Sequence, residues 1–361
     1  MAKKKTNNKS NGASSGIDAG AIVSKKLWIT ILITIFVLGG IILLYIFLPA
    51  VANKSENEAV IKIPINATAE NVRDSLEKYF GSKYADKVML MSKVRKTDIA
   101  KRGGAFLIES GMSPLQAERK LSQGSQHPFK IVVNGARGVD ILADRVTRNI
   151  EISPDNLKKT LSDEEFLKQF GLTPDDALAL FIDDTYEVYW NVTPEALTGK
   201  IGKNYKKVWN DSRLDKAKAL GLTPAEVITL ASIVDEETNK GDEKPMVARL
   251  YLNRLKKGMR LQADPTVKFA LGDFSLRRIR GEHLKVNSPY NTYQVTGLPP
   301  GPIRTVTTSD IDAVLNAPDH DYIYMCAKDD FSGYHNFASD YNTHMQNARK
   351  YQKALNRRGI N

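Results

Sequence analysis

A single cysteine, Cys326, stands in a chain of 361 residues, which rules out an internal disulfide and a thiolate pair for a structural metal. Histidine is almost as scarce. His127, His283, His320, His335 and His344 form neither H-x₃₋₅-H spacing nor an HExxH pattern, so no metal and no other cofactor is expected. G-x-S-x-G occurs only in the polar N-terminal stretch, at Gly12–Gly16, with no apolar strand before it to form a nucleophile elbow, and a Gly-rich phosphate loop is missing. These absences leave carboxylate acid/base chemistry. Acids are themselves the minority charge, 41 Asp and Glu against 52 Lys and Arg for a net charge of +11. That excess suits an anionic environment, with membrane surface, acidic polymer and nucleic acid all admissible. With 42% hydrophobic residues the chain can build the cores of two domains or of one large one.

Residues 1–26 form a polar, lysine-rich tail, expected to be disordered and cytoplasmic. Leu27 to Leu48 then runs for 22 residues without a charge, long enough to cross a bilayer of about 30 Å as a helix. Lysines concentrate before this run, whereas Lys54, Glu56 and Glu58 balance after it, so the remainder is expected outside the cytoplasm. A cleavable signal peptide is the competing reading, because Ala50, Val51 and Ala52 form an A-x-A pattern. The apolar run exceeds a signal peptide's usual length of about 7–15 residues, which favours an uncleaved anchor. Nucleic acid is therefore not an expected partner. Residues 49–60 read as a linker.

Residues 61–152 read as one or two small modules of strands packed with helices. Ile61–Ile65 alternates like a strand, and Thr68 starts a helix with Val72, Leu76 and Tyr79 on one face. Gly103–Ile108, a helix over Ser113–Leu121 and a strand over Phe129–Val133 follow, before Gly135 and Gly138 lead into a helix over Val139–Ile150. Five hydroxyl–proline pairs, Ser113/Pro114, Ser153/Pro154, Thr173/Pro174, Thr193/Pro194 and Thr223/Pro224, each predict a helix start. Their unequal spacing does not indicate a repeat. The aromatic stretch Phe181–Trp190 suits a core, although Tyr and Trp also stack on sugar rings.

Thr223–Gln262 predicts two helices joined by a polar turn, a central helical hairpin, the first helix opening on a capping box and ending in Asp235, Glu236 and Glu237. At about 100° per residue, Val227, Leu230, Ile233 and Val234 form an apolar stripe and Glu237 falls within it. Asp235 lies roughly opposite. Glu237 is thus either a carboxyl in apolar surroundings with a raised pKa, suited to general acid work, or a helix-end residue paired with Arg249 or Arg254. Downstream, Gln262–Val267, Asn287–Tyr293, Gly297–Ile303 and Tyr334–Asn342 are turn-rich loops suited to the walls of a binding groove.

LASIVDEET at Leu230–Thr238, NRLKKGMRLQADPTV at Asn253–Val267, YNTY at Tyr290–Tyr293 and GLPPGPI at Gly297–Ile303 resemble the membrane-bound endolytic murein transglycosylases of the YceG-like family. The resemblance runs from about Ile61 onward and is weaker in the first half, where family members carry a LysM-like module. It implies an α+β chain: one transmembrane helix at 27–48, a LysM-like α/β part at 61–152 and a mixed α+β catalytic domain at 153–361. It also implies cleavage of the β-1,4 bond between N-acetylmuramic acid and N-acetylglucosamine in nascent glycan strands, leaving 1,6-anhydro ends. Glu237 matches the catalytic glutamate. Asp264, Asn253, Gln262, Tyr290, Asn291, Tyr293 and His335 are the expected substrate-binding residues, with Asp264 alternatively an Asx turn before Pro265.

The resemblance places the protein in the cell (inner) membrane as a single-pass chain with its catalytic part outside the cytoplasm. Peptidoglycan is the implied substrate, and membrane-bound synthases are candidate partners. Two departures bear on the groove's edges. The family's F-P-D/N-T-Y segment reads Phe181, Ile182, Asp183, Asp184, Thr185, Tyr186 here, and its E-H-N pattern is reduced to Thr343, His344, Met345. A water-using muramidase and a non-catalytic wall-binding scaffold are the alternative functions.

Overall fold

A computed structural model describes residues 1–2, 19–47, 58–109, 111–276 and 278–359. Most of the expected tail and linker and the A-x-A residues Ala50–Ala52 lie outside the described residues. Helix α1 (Ala19–Phe47) contains the apolar run from Leu27 to Phe47, and Leu48 lies outside the described residues. Within it, Lys25–Leu44 has a mean hydropathy of 2.8 and no buried side chains, so the helix is long and apolar enough to cross a membrane.

The chain divides into two compact units, one of 1–102 and 106–125, the other of 103–105 and 126–361. After α1, the first unit runs through β1 (Glu58–Ile63), α2 (Ala69–Phe80), α3 (Ser82–Arg95), β2 (Gly104–Glu109) and α4 (Pro114–Gln123), with β1 paired to β2. Alternation in β1 buries Ala59, Ile61 and Ile63 against Val72, Leu76, Val88, Phe106 and Leu121. Thr68 starts α2, as its sequence predicts, and forms a capping box with Asn71. Glu118 is fully buried in α4, where Arg95 and Thr97 donate to its two carboxylate oxygens and satisfy the charge.

The second unit is mixed α+β. It contains β3 (Pro128–Val133), α5 (Val139–Thr147), α6 (Pro154–Thr160), α7 (Glu164–Lys168), a 3₁₀ segment (Pro174–Leu180) and β4 (Asp184–Tyr189). Next come α8 (Pro194–Val208), α9 (Asp211–Leu220), α10 (Pro224–Glu237), α11 (Lys244–Lys256), α12 (Asp264–Leu271), a short 3₁₀ turn (His283–Lys285), α13 (Thr308–Leu315), β5 (Tyr324–Ala327), β6 (His335–Ala338) and α14 (Tyr341–Arg357). All five hydroxyl–proline pairs cap a helical segment.

Where the sequence grouping kept 126–152 with the preceding module, β3 pairs antiparallel with β4, Pro128 opposite Tyr189 and Val133 opposite Asp184. Ile131 and Val133 of β3 join Tyr186 and Val188 of β4 in the second unit's core. The middle of the aromatic stretch, Asp184–Tyr189, is therefore a strand with one buried face. A second difference concerns α10. In place of the expected single apolar stripe, the helix is buried all round, because every residue from Val227 to Val234, including Thr229 and Ser232, is at most 2% exposed. Such a helix is a core helix, and α9, α11, α12, α13 and the 3₁₀ segment Pro174–Leu180 surround it.

Candidate functional site

The acids that end α10 are separated by what surrounds them. Arg137 binds Glu236 through two parallel bonds of 2.8 and 2.9 Å, and Arg304 reaches both Glu236 (2.9 Å) and Asp235 (2.8 Å). Lys244 bridges Asp235 to the buried Asp310 of α13. Asp235 and Glu236 are thus consumed in a half-buried ion network that fastens α10 to its neighbours. Next to this network, Asp183 accepts from the Gly135 amide (2.8 Å) and the Thr305 hydroxyl. Burial raises the Asp183 pKa, against those hydrogen bonds.

Glu237 points elsewhere. Its carboxyl makes no ion pair with Arg249 or Arg254 among the described residues. Arg249 donates to the carbonyls of Ala317 and Pro318, and Arg254 to those of Leu261 (2.6 Å) and Ile323 (2.7 Å). The partner of Glu237 is Tyr251 of α11, whose hydroxyl donates to Oε1 at 2.8 Å. Burial pushes the Glu237 pKa up to about 7, and the nearby Asp264 carboxylate adds to the rise. The Tyr251 hydrogen bond and the charges of Lys268 and Arg254 oppose it. Yet Glu237 keeps partial solvent access. A carboxyl that is half protonated near neutrality and open to one side can give a proton and take one back.

Asp264 opens α12, with Pro265 in the first turn, so the expected loop at Gln262–Val267 is a helix start. Its Oδ1 accepts from the Tyr293 hydroxyl at 2.6 Å. Two contacts hold that pairing in register. The Gln262 amide donates to the Thr292 carbonyl at 3.0 Å, and the Ala263 amide to the Thr292 hydroxyl at 3.0 Å. Gln262 itself is exposed with φ at 53°, a left-handed conformation costly for a residue with a Cβ. Asn291 is fully buried, its amide donating to the carbonyls of Leu284 (2.9 Å) and Val286 (2.8 Å) while its oxygen accepts from the Tyr293 amide. It shapes the turn that aims Tyr293.

The remaining expected residues make no hydrogen bond to either carboxyl among the described residues. The Asn253 amide donates to the carbonyls of His320 (2.7 Å) and Tyr322 (3.0 Å). Tyr290 packs its ring 4.7 Å from that of Phe269. His335, on β6, gives its backbone N–H (2.6 Å) and approaches with Nδ1 (2.9 Å) the buried Glu243, which also accepts from Thr238 directly after Glu237. That contact ties the β5–β6 hairpin to the α10–α11 turn. The GLPPGPI loop is pinned to α10 by the Ile303 amide on the Ser232 hydroxyl (3.0 Å). In the same loop, a Cβ on Gly301 would stand 2.2 Å from the Asp175 carbonyl oxygen, so only glycine fits there.

Sequence reasoning missed Tyr251 and Lys268. Each carried a signal. Lys268 stands one turn after Asp264 on α12, and Tyr251 shares a face of α11 with Val247, Leu250 and Arg254.

The model of the YceG-like family matches residues 61–350. The endolytic murein transglycosylase of Bacillus subtilis is 28% identical over 242 residues, which cover 63% of this chain and 67% of that protein. The endolytic murein transglycosylase of Streptococcus pneumoniae strain D39 is 23% identical over 317 residues, 78% of this chain. The matched stretch spans only 56% of that relative's length. A 2.6 Å crystal structure of a YceG-like protein from Listeria monocytogenes is similar at a TM-score of 0.54 and 26% identity, covering 81% of this chain and 99% of that one.

Proposed function

The chain belongs to the YceG-like family, and from that premise we propose that it is an endolytic lytic transglycosylase acting on peptidoglycan. The observation that carries the proposal is the Glu237 carboxyl: pushed up to about 7 by burial, partly open to solvent and set beside Asp264. In this reading protonated Glu237 donates to the glycosidic oxygen as the bond from C1 of the muramoyl sugar breaks and positive charge develops at C1. The resulting carboxylate takes the proton of the C6 hydroxyl while O6 bonds to C1, closing the 1,6-anhydro ring. One acid/base suffices, because the nucleophile is already held within the sugar. Asp264, oriented by Tyr293, stabilises the developing positive charge, and Gln262, Asn291, Tyr290, Asn253 and His335 support or edge the groove.

The Asp264 carboxylate also favours a second reading, a muramidase in which it activates water. Mass spectrometry of digested glycan strands separates the two: anhydro ends are expected, and reducing ends would overturn the transglycosylase assignment. Glu237→Gln is expected to abolish cleavage. Retained cleavage would remove Glu237 from the chemistry, and wild-type protein without any cleavage would leave a wall-binding scaffold.

We also propose that α1 is a single-pass anchor with its N-terminus in the cytoplasm, holding the second unit outside, near synthases extruding new strands. The 58–125 stretch, with its own core and paired β1 and β2, is proposed as the LysM-like module that engages glycan.

A further inference from the structure

We propose that Tyr251 decides which oxygen of Glu237 carries the transferable proton, making Tyr251 a positioning residue for the reaction. The inference rests on the reading of Glu237 as the reacting acid. The Tyr251 hydroxyl donates to Oε1 at 2.8 Å, so in the protonated acid Oε1 is the carbonyl-type acceptor and the proton belongs on Oε2. Oε2 has no hydrogen-bond partner among the described residues, and Glu237 retains solvent access. It is therefore the oxygen available to a substrate.

Several features hold the arrangement in place. Tyr251 is 1% exposed and belongs to the core, on a helix segment whose neighbours Leu250 and Leu252 are also buried. Swinging the phenol away would strand its hydroxyl without a partner. Burial and the adjacent Glu237 raise the Tyr251 pKa well above its ordinary value, so the hydroxyl stays a donor throughout the working pH range. When the proton leaves Oε2, charge spreads to Oε1, where the same hydroxyl receives it at no cost in reorganisation. When the C6 hydroxyl gives its proton back, Oε2 is again the open oxygen. The groups facing this pair from other elements are Asp264 and Lys268 of α12, Arg254 of α11 and Tyr293 of the YNTY turn. None of these four hydrogen-bonds the Glu237 carboxyl, and among the described residues its one side-chain partner is the Tyr251 hydroxyl.

Tyr251→Phe tests the assignment, since it removes one oxygen and leaves the ring to fill the core. The full chain in detergent would be assayed on glycan strands across pH, beside Glu237→Gln, with the Glu237 carboxyl titration followed by carbon-13 NMR. Losing a hydrogen bond that favours the ionised form is expected to move the alkaline limb of kcat upward by about one pH unit. At neutral pH kcat is expected to fall about tenfold with KM changed less than about twofold. The NMR titration of Glu237 should rise in parallel. A Tyr251→Phe profile superimposable on wild type, with Glu237→Gln inactive, would overturn the role of Tyr251 and leave the acid in place. Active Glu237→Gln would overturn the parent reading. In that event an unmoved carboxyl titration in Tyr251→Phe would sink the hydrogen-bond assignment as well.

Discussion

Replacing Glu237 by Gln should make the protein more stable at alkaline pH and leave it unchanged in acid. Folding raises the carboxyl from its ordinary 4.5 to about 7, so the folded state favours the neutral form. Glu237 then adds stability that is fully present below about 4.5 and is lost as pH rises through about 7. The interval between those values corresponds to at most about 3 kcal/mol, and partial solvent access brings the expected figure to about 2 kcal/mol. Gln is neutral at every pH, can still accept from Tyr251 through its oxygen and presents an N–H₂ where the acid carries its proton. Urea unfolding of wild type and variant, run at about pH 4, 6 and 8.5, should give coincident curves at the lowest pH. The variant's advantage should grow with pH and level off above neutrality. A difference that stays flat with pH, or that favours wild type in alkali, would refute the account of the site.

Other consequences can be measured directly. Asp264→Asn removes a charge that raises the Glu237 pKa, so the alkaline limb of activity should shift down in a pH–rate profile. Gly301→Ala drives a methyl into the Asp175 carbonyl and should cost about 1–3 kcal/mol by thermal unfolding. Leu230→Ala, at a fully buried position of α10, should cost about 2–5 kcal/mol, read from the midpoint of urea unfolding. Glu236→Gln leaves Arg137 and Arg304 short of a carboxylate. Because Arg137 is 39% exposed, screening limits the loss to about 1 kcal/mol.

Local signals were legible in the chain wherever one residue type had one physical use. Hydroxyl–proline pairs predict five helix starts, and each caps a helical segment. Alternation marks β1, and the uncharged run marks α1. Pairing partners were not legible, because β3 reads equally well beside β2 or β4. What decides is the shared burial of Ile131, Val133, Tyr186 and Val188 across 50 or so residues of intervening chain. The wheel singled out Glu237 but understated the burial of its helix, since Ile228 and Thr229, which are not part of that stripe, are also buried. Tyr251 escaped notice because a tyrosine among leucines looks like core until its hydroxyl is seen to reach an acid on another helix.

The enclosure of α10 on every side bears on when the acid can be lost. Amides of a helix sealed on all faces exchange with solvent only when the whole unit opens, and Glu237 ends that helix one residue beyond the supports at Glu236 and Asp235. No partial fraying of α10 should disarm the site while the unit stays folded. Slow, globally limited deuterium uptake across Val227–Val234 is the expected signature. Control of the activity would then have to work through the elements that face the acid, α11, α12 and the YNTY turn, by admitting or refusing a glycan strand.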